Sequence, residues 1–237
     1  MDETSRLPVE KRCLILMAKF PEEGRVKTRL AVEIGSRHAS ELSRCFVQDL
    51  LQSLSSEAWS CRLALYPRDK QEAMADIVGK AVIQVPQRGN DLGERMEGVF
   101  ADAFSGGMRE VVIIGNDVPD LPPDVVAEAF ESLADHDAVL GPACDGGYYL
   151  VGFHRETCRD HLFDDLPWGT PEIFSRQMRR FRDQNLRVYI LPSWRDVDTL
   201  ADLANLFRLA GMTSFAGSRT MAYLRSSDVL GKGKAAT

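Results

Sequence analysis

The feature that most constrains the fold is a series of seven short apolar runs that recur along the chain. Each is five or six residues long, rich in β-branched or aliphatic side chains, and too short for a helix. Strands that are apolar on both faces are typical of parallel sheets that are covered on both sides. The seven predicted strands are CLILMA (13–18), CRLALY (61–66), AVIQVP (81–86), VVIIG (111–115), DAVLGP (137–142), YYLVGF (148–153) and RVYILP (187–192).

Segments with helical periodicity lie between most of these runs. Residues 38–54 place Leu42, Phe46 and Leu50 on one face, and residues 96–104 show the same spacing. The segment PPDVVAEAFESL begins with prolines, which suit the first turn of a helix. The alternation of strands and helices predicts an α/β fold in which a mostly parallel sheet lies between two layers of helices.

The distribution of linker residues predicts a single domain. No stretch rich in Pro, Gly or Ser divides the chain before about residue 210, so we expect one domain over residues 1–210. Residues 211–237 lose periodicity and end in Gly, Lys and Ala, which predicts a loosely held C-terminal tail. Met221, Tyr223 and Leu224 are the residues of this tail that could dock on the domain.

Charge and cysteine content limit the classes of partner and compartment. A net charge of −6 argues against binding to nucleic acid. The five cysteines are scattered without a C-x-x-C pair, so we expect neither a disulfide framework nor a zinc site, and a reducing cytoplasm is the expected compartment. The N-terminal residues are polar, and no apolar run approaches the roughly 20 residues that span a bilayer, which predicts no membrane span.

A basic loop follows the first predicted strand. In MAKFPEEGRVKTRL, Lys19, Arg25 and Lys27 supply positive charge, and Gly24 allows the backbone to approach a ligand closely. Because the chain as a whole is acidic, the expected partner of this loop is a small anion. The alternative is a solvated basic turn. Neither G-x-x-x-x-G-K-[ST] nor G-x-G-x-x-G is present, so the usual P-loop and dinucleotide cradles are not predicted.

Three aspartates follow other predicted strands and are candidate metal ligands. Asp117 follows VVIIG directly, and Asp196 and Asp198 alternate around Val197 after RVYILP. Ligands of open α/β sheets bind at the carboxyl ends of the strands, and carboxylate oxygens suit Mg²⁺ or Mn²⁺. Alternatively, Asp198 caps the helix that begins near Thr199, and a helix cap or turn is the favoured role of Asp120.

Two glycine-containing segments are candidates for binding the rest of a substrate. The segment CDGGYY places Asp145, Gly146, Gly147 and Tyr148 at the start of an aromatic strand, where they could contact a substrate or acceptor; a tight hairpin turn is the alternative. In QRGNDLGERM, Gly89 and Asp91 could contact a base, a ribose or sugar hydroxyls; a turn with a helix cap is equally compatible with this segment.

Taken in order, MAKFPEEGRVKTRL, QRGNDLGERM, IIGNDVPDL, GPACDGGYYLVGF and WRDVDTLADL resemble the motifs of the nucleotide-diphospho-sugar transferase-like family known as radical-SAM/selenodomain-associated transferases. That family is related to the molybdenum-cofactor and 2-phospholactate guanylyltransferases. The resemblance covers about residues 13–207. It implies a three-layer, Rossmann-like GT-A fold with a mostly parallel mixed sheet, which binds a nucleotide through its phosphates and a divalent metal.

The resemblance also implies roles for individual residues. Lys19, Arg25 and Lys27 correspond to phosphate contacts, and Asp117 to the metal-binding acid, so that Asp117, Lys27 and Arg25 are the expected catalytic residues. Asp196 and Asp198 correspond to the second acidic site. The sequence departs from the family pattern at two places: Glu22 and Glu23 lie in the basic loop, and Asn116 and Val118 flank Asp117. These departures bear on the choice of nucleotide.

Three functions are compatible with these motifs. The leading hypothesis is a metal-dependent transferase that uses a nucleotide-diphospho-sugar donor and a small-molecule acceptor. The alternative is a nucleotidyltransferase that releases pyrophosphate from a nucleoside triphosphate, and the third is a nucleotide-binding module without turnover. We favour the first because no second basic cluster for a phosphorylated acceptor stands out, although Arg88, Arg95 and Arg195 could form one in space.

Overall fold

A computed structural model describes residues 11–231 of the chain. Its sheet has seven strands in the order β3-β2-β1-β4-β6-β5-β7. All neighbouring strands are parallel except β6, which is antiparallel to both β4 and β5. The strands are β1 (Arg12–Lys19), β2 (Ser60–Tyr66), β3 (Ile83–Pro86), β4 (Glu110–Gly115), β5 (Ala138–Pro142), β6 (Tyr148–His154) and β7 (Val188–Ile190).

Eight helices are present in the described part of the chain. Helices α2, α4 and α5 coincide with the periodic segments of the sequence. Helices α1, α3, α6 and α8 are short or polar and were not predicted. The helices are α1 (Thr28–Ile34), α2 (Ser36–Ser53), α3 (Gln71–Val78), α4 (Leu92–Ser105), α5 (Pro123–Ser132), α6 (Ile173–Asp183), α7 (Leu200–Ala210) and α8 (Arg219–Ser226).

The sheet is buried on both faces, which explains its apolar strands. Alternate residues of β1 point to opposite faces. Leu14 and Leu16 pack in one core with residues of α2, α3 and α5, whereas Ile15 and Met17 pack in a second core with residues of α4 and α6. The predicted fold class, a three-layer α/β fold with a mostly parallel mixed sheet, is therefore confirmed.

The segment after residue 210 is not loose where it is described. Helix α8 packs against α2, and it buries Met221 and Leu224 in a third core with α1, α2 and α7. The buried Asp49 of α2 accepts hydrogen bonds from the backbone N–H groups of Arg219 and Thr220 at the start of α8. The sequence suggested a loose tail because α8 is too short for a clear period. The division into a domain and a tail stays a prediction, and residues 1–10 and 232–237 lie outside the described residues.

None of the helices in residues 11–231 is long and apolar enough to cross a membrane.

Candidate active site

The strand order creates a crevice at the carboxyl edge of the sheet. From β1 the chain builds β2 and β3 on one side, whereas β4 lies on the other side of β1. Ligands of open α/β sheets bind at such a reversal of strand order. The basic loop, residues 20–27, follows β1, and Asn116 and Asp117 follow β4, so the crevice separates the predicted cationic and acidic groups.

A third segment reaches the crevice from β7. Residues 191–198 run back across the carboxyl end of β5 and the amino end of the antiparallel β6. Hydrogen bonds from Leu191 N to Leu140 O and from Trp194 N to Pro142 O, each 3.0 Å long, hold them there. The segment ends beside β4, where the N–H of Val197 donates to the carbonyl of Asp117 at 2.9 Å. This crossing brings Asp196 and Asp198 close to Asp117, which follows β4.

Lys27 joins these three segments. Its backbone is left-handed, with φ of 46°, and it lies just before α1. Its ammonium donates to the carbonyl of Val197 at 2.7 Å and to Oδ1 of Asp198 at 3.3 Å, and it lies 2.5 Å from Oδ1 of Asp117. The side chain is 4% exposed and packs over the ring of Phe46. Lys27 is therefore occupied by protein oxygens, and its predicted role as a phosphate contact stays a prediction.

A cavity of about 410 Å³, which we call the charged cavity, opens between the basic loop and Asp117. Lys19 and Arg25 are exposed side chains on its wall, with no hydrogen bond or ion pair to another side chain in the part of the chain that the structure describes. Gly24 has φ of +74°, which allows the tight turn that carries Arg25. The remaining cationic side chains of the wall are Lys27, Arg29 and Arg95.

Glu22, one of the departures from the family pattern, does not neutralise this cavity. Its carboxylate lies 3.8 Å from the ammonium of Lys70, outside the charged cavity. Ser43 lies in the cavity wall, but its hydroxyl is shielded from solvent and has no hydrogen-bond partner among the described residues. The unpaired cations of the cavity suit an anion with several oxygens.

Four carboxylates converge at the acidic side of the crevice. Burial, together with the negative charges of Asp145, Asp198 and Asp117, raises the pKa of Asp196 to about 6. The cations that contact this group are Lys27 and Arg29, the latter 3.8 Å from Oδ2 of Asp198. Four carboxylates against two cations leave two negative charges unbalanced.

These residues fit a divalent cation of a particular kind. Within residues 11–231, no group of three or more His, Cys, Asp or Glu side chains is arranged to hold a metal ion. Mg²⁺, however, is commonly held by one or two carboxylates together with substrate phosphates. Asp117 and Asp196 supply such hard oxygens; Asp117 contacts Lys27 through Oδ1, and Asp198 contacts both Lys27 and Arg29. The predicted set of three metal ligands therefore stays a prediction.

A second cavity, the apolar pocket, adjoins the charged cavity. Its volume is about 190 Å³, and Met17, Leu92 and Gly115 line both cavities. Asp145, Gly147 and Tyr148 line it, and their role in binding a substrate or acceptor stays a prediction. The other lining residues are Met96, Ile113, Tyr149, Leu150, Val151, Trp168, Gly169, Thr170 and Ile173.

Two residues predicted to contact the nucleotide have local structural roles. The carboxylate of Asp91 caps α4 by accepting from the N–H of Glu94 at 2.9 Å, so the helix-cap alternative is confirmed. Gly89 has φ of +135°, and a Cβ there would lie 2.5 Å from Cβ of Glu94. Neither Gly89 nor Asp91 lines the charged cavity. Both residues are instead part of the tight turn that precedes α4, which keeps them out of the cavity wall.

The hairpin alternative for CDGGYY is also confirmed. Residues 143–147 connect the antiparallel strands β5 and β6, and the N–H of Gly147 donates to Oδ1 of Asp145 at 2.8 Å. Gly146 has φ of +93°, and a Cβ there would lie 2.3 Å from the carbonyl oxygen of Pro171. Gly146 therefore packs against the backbone of residue 171 and does not line the apolar pocket.

The structure corrects three further expectations. Asp198 does not cap α7, because Thr199 and Asp202 form the capping box of that helix. Asp120 is not a helix cap either, because Pro122 holds that position in α5; Asp120 lies in a turn, the other role predicted for it, and accepts a hydrogen bond from the indole of Trp194 at 2.9 Å. Of the three arginines proposed as a second basic cluster, only Arg95 lines a cavity; Arg88 pairs with Asp102, and Arg195 lines neither cavity.

Several residues that line the two cavities are not among the site residues that the sequence predicts. Gln87 is buried in the wall of the charged cavity, where its amide donates to the carbonyls of Ala18 and Ala64. Trp168 lies in the irregular segment between β6 and α6, and Ile173 is the first residue of α6. The only sequence signal for this wall is the bulky tryptophan between a proline and a glycine in LPWGT.

Comparison with known proteins agrees with this architecture. Residues 50–170 match the family model described as "Uncharacterized protein conserved in bacteria (DUF2064)". A crystal structure described as a "putative nucleotide-diphospho-sugar transferase" from Desulfovibrio desulfuricans G20 is 38% identical, with a TM-score of 0.89 over 93% of this chain and 96% of that one. A comparison with curated proteins found no match.

More distant structures share the fold alone. A cytidylyltransferase from Leptospira borgpetersenii serovar Hardjo-bovis is 14% identical, with a TM-score of 0.55 over 95% of this chain and 96% of that one. The CMP:2-keto-3-deoxy-manno-octonic acid synthetase, solved with CTP, is 13% identical, with a TM-score of 0.54 over 85% of this chain and 99% of that one. The resemblance derived from the motifs is confirmed, and the chain belongs to the DUF2064 family of nucleotide-diphospho-sugar transferase-like proteins.

Proposed function

We propose that this protein is a metal-dependent transferase that moves a sugar from a nucleotide-diphospho-sugar donor to a small alcohol. The observation that supports this function best is the junction of the two cavities. A charged cavity suited to a diphosphate and an apolar pocket without a lysine or arginine share Met17, Leu92 and Gly115 as a common wall. Donor and acceptor bound on the two sides would meet at this wall.

The donor diphosphate would be bound by the unpaired cations. Lys19 and Arg25 are free to contact phosphate oxygens, and charge-assisted hydrogen bonds of this kind are stronger than neutral ones. As the bond to the sugar breaks, negative charge grows on the leaving diphosphate, and the same cations stabilise it. Lys27 acts differently, because its ammonium holds Asp117 and Asp198 in place.

Mg²⁺ or Mn²⁺ would be held by Asp117 and Asp196, with the phosphates completing the coordination shell. When bound, the ion supplies further positive charge at the leaving diphosphate. Asp198 is the remaining member of the proposed acidic site, and its contacts with Lys27 make it a positioning residue.

Asp145 is the candidate base for the acceptor. It is the only carboxylate that lines the apolar pocket in the described chain, and one of its oxygens is fixed by the N–H of Gly147. In the proposed step the acceptor oxygen forms a bond to the anomeric carbon, whose bond to the phosphate oxygen breaks. The electron pair of that bond leaves with the nucleoside diphosphate, and the acceptor proton passes to Asp145.

The alternative function, nucleotidyl transfer with release of pyrophosphate, has support from the distant relatives, whose names include cytidylyltransferases and a nucleotidyl transferase. We favour sugar transfer because a phosphorylated acceptor in the apolar pocket would find no cationic side chain on the described walls. A binding module without turnover would not need four convergent carboxylates. The reducing cytoplasm stays the expected compartment, and all five cysteines are free.

The two enzymatic functions differ in their products. Incubating the protein and Mg²⁺ with nucleotide sugars should release nucleoside diphosphate, slowly even with water as the acceptor. Incubation with nucleoside triphosphates and phosphorylated acceptors should release no pyrophosphate. Pyrophosphate release from a triphosphate, without diphosphate release from any nucleotide sugar, would reverse the assignment. The Asp117→Asn variant is the control for a contaminating activity.

A further inference from the structure

The walls of the apolar pocket restrict what can bind there. Helix α4 contributes Met96, β4 contributes Ile113, and α6 contributes Ile173, and all three side chains are otherwise buried in the core. Tyr148 and Trp168 also line the pocket, and their rings pack edge to face, with centroids 6.3 Å apart. At about 190 Å³ the pocket is large enough for a single six-membered ring, since apolar cavities of about 150 Å³ hold benzene.

The side-chain hydroxyls of this wall already donate to protein oxygens, which leaves them only as acceptors. Tyr148 donates to Oε1 of Gln177 at 3.3 Å, Tyr149 to the carbonyl of Pro192 at 3.0 Å, and Thr170 to the carbonyl of Pro167 at 2.8 Å. The carboxylate of Asp145 is the remaining polar side-chain group among the described lining residues; the indole N–H of Trp168 has no partner in the described chain, but it is shielded from solvent. The pocket therefore offers few side-chain partners for hydroxyl groups.

This shortage of partners discriminates between classes of acceptor. A sugar or another polyol would place several hydroxyls against Met96, Ile113 and Ile173, where they could form no hydrogen bonds. Each such buried hydroxyl costs free energy equivalent to roughly a five- to hundredfold loss of affinity. An apolar skeleton gains affinity from the same walls. We infer that the acceptor is an alcohol with one hydroxyl on an apolar, ring-sized skeleton, and that the hydroxyl donates to Asp145.

That the bound alcohol is an acceptor rests on the proposed function, but the test of binding needs no turnover. Cyclohexylmethanol and methyl glucoside are matched probes, because both carry a hydroxymethyl group on a six-membered ring and differ in the number of hydroxyls. Titration of the full chain, followed by ligand-observed NMR, should give a dissociation constant at least about tenfold lower for cyclohexylmethanol. Equal or tighter binding of methyl glucoside would overturn the inference.

Paired variants locate the binding site. Met96 and Met74 are both buried methionines on helices, but only Met96 lines the pocket. Met96→Gln should weaken cyclohexylmethanol by about tenfold, because it places an unpaired amide in the wall. Met74→Gln should leave the affinity unchanged. If Met96→Gln does not fold, Leu92→Gln replaces it, since Leu92 is 42% exposed at the mouth of the pocket. Unchanged affinity in a folded pocket variant would contradict the inference.

Failure of the proposed function gives a different result. If cyclohexylmethanol binds in a Met96-dependent way while no nucleotide sugar is turned over, the pocket assignment stands and the transferase assignment fails. If nucleotide sugars are hydrolysed to diphosphates but cyclohexylmethanol does not bind, the transferase assignment stands and the acceptor class is wrong.

Discussion

The ammonium of Lys27 lies 2.5 Å from Oδ1 of Asp117, although one residue follows β1 and the other follows β4. The contact spans the crevice where the strand order reverses, and the same ammonium also donates to Val197 and Asp198. One side chain thus fixes the relative positions of the three segments that carry the proposed chemistry.

Replacing Lys27 should lower stability as well as activity. In Lys27→Met the long apolar stem can still pack on Phe46, but Asp117 and Asp198 lose their shared cation. Removing one partner of a fully buried pair costs roughly 3–5 kcal/mol, and partial exposure of the two acids reduces this to about 1–3 kcal/mol. Urea denaturation measures the change. Lys19→Met, which removes an exposed and unpaired ammonium, should leave the free energy of unfolding unchanged, and an equal loss in both variants would contradict this role.

Asp117 should be essential for turnover and dispensable for folding. Its side chain is 47% exposed at the end of β4, and in Asp117→Asn the ammonium of Lys27 keeps Asp198 and the carbonyl of Val197 as partners. We expect at least a hundredfold loss of diphosphate release with a melting temperature within a few degrees of the wild type, roughly the effect of 1 kcal/mol or less. Wild-type activity in this variant would remove Asp117 from the mechanism.

Replacing Arg25 should weaken the binding of the phosphates of a nucleotide but not the binding of its nucleoside part. Its side chain lines the charged cavity and has no side-chain partner in the described chain, so it is free to bind a diphosphate. A charge-assisted hydrogen bond contributes about 1.5–3 kcal/mol, and Arg25→Ala should therefore weaken a nucleoside diphosphate by about tenfold to a hundredfold. Calorimetric titration should show no such change for the nucleoside. Equal weakening of both ligands would mean that Arg25 acts through the fold of the loop.

The raised pKa of Asp196 predicts that this carboxylate destabilises the folded, metal-free protein at neutral pH. Burial and neighbouring carboxylates raise that pKa to about 6, so the folded protein holds the proton more tightly than the unfolded chain does. The contribution of Asp196 to stability therefore falls as the pH rises from about 4 to 6, and it stays low above pH 6. In EDTA, Asp196→Asn should melt higher than the wild type at pH 7.5, and the difference should shrink towards pH 4.

Asp198→Asn provides the contrast for this experiment. Asp198 contacts Lys27 and Arg29, so its loss should lower the melting temperature at pH 7.5. Higher melting temperatures for both variants would show that net negative charge, and not the position of Asp196, governs the effect.

Gly146 and Gly169 separate a steric clash from backbone strain. Both have positive φ, at +93° and +79°. A Cβ at Gly146 would meet the carbonyl oxygen of Pro171, whereas a Cβ at Gly169 would have no described atom within 4 Å apart from its two chain neighbours. Gly169→Ala should cost about 1–2 kcal/mol from the left-handed backbone. Gly146→Ala should cost more, because backbone must also move. Similar unfolding free energies for the two variants would show that the hairpin accommodates a Cβ.

Local sequence patterns were sufficient to predict the strands. All seven apolar runs correspond to strands of the sheet. The central strands are buried on both faces and must therefore be apolar at nearly every position, whereas the edge strands β3 and β7 are partly exposed. The long amphipathic helices could be predicted from their helical periodicity, because each buries one face against the sheet. Short helices such as α1 and α8 could not be predicted, because seven or eight residues contain too few turns to show a period.

The pairing of side chains at the site could not be read from the sequence. Sequence predicted that Lys27, Asp117, Asp196 and Asp198 follow strands, and hence lie at one edge of the sheet. Only the strand order β3-β2-β1-β4-β6-β5-β7 and the return of residues 191–198 across the edge decided that Lys27 contacts Asp117 and Asp198. The tertiary structure also decided that Asp91 caps a helix, whereas Asp145 lines a pocket. Local sequence encodes which residues can form a strand, turn or cap, whereas contacts between distant segments depend on how all the elements pack together.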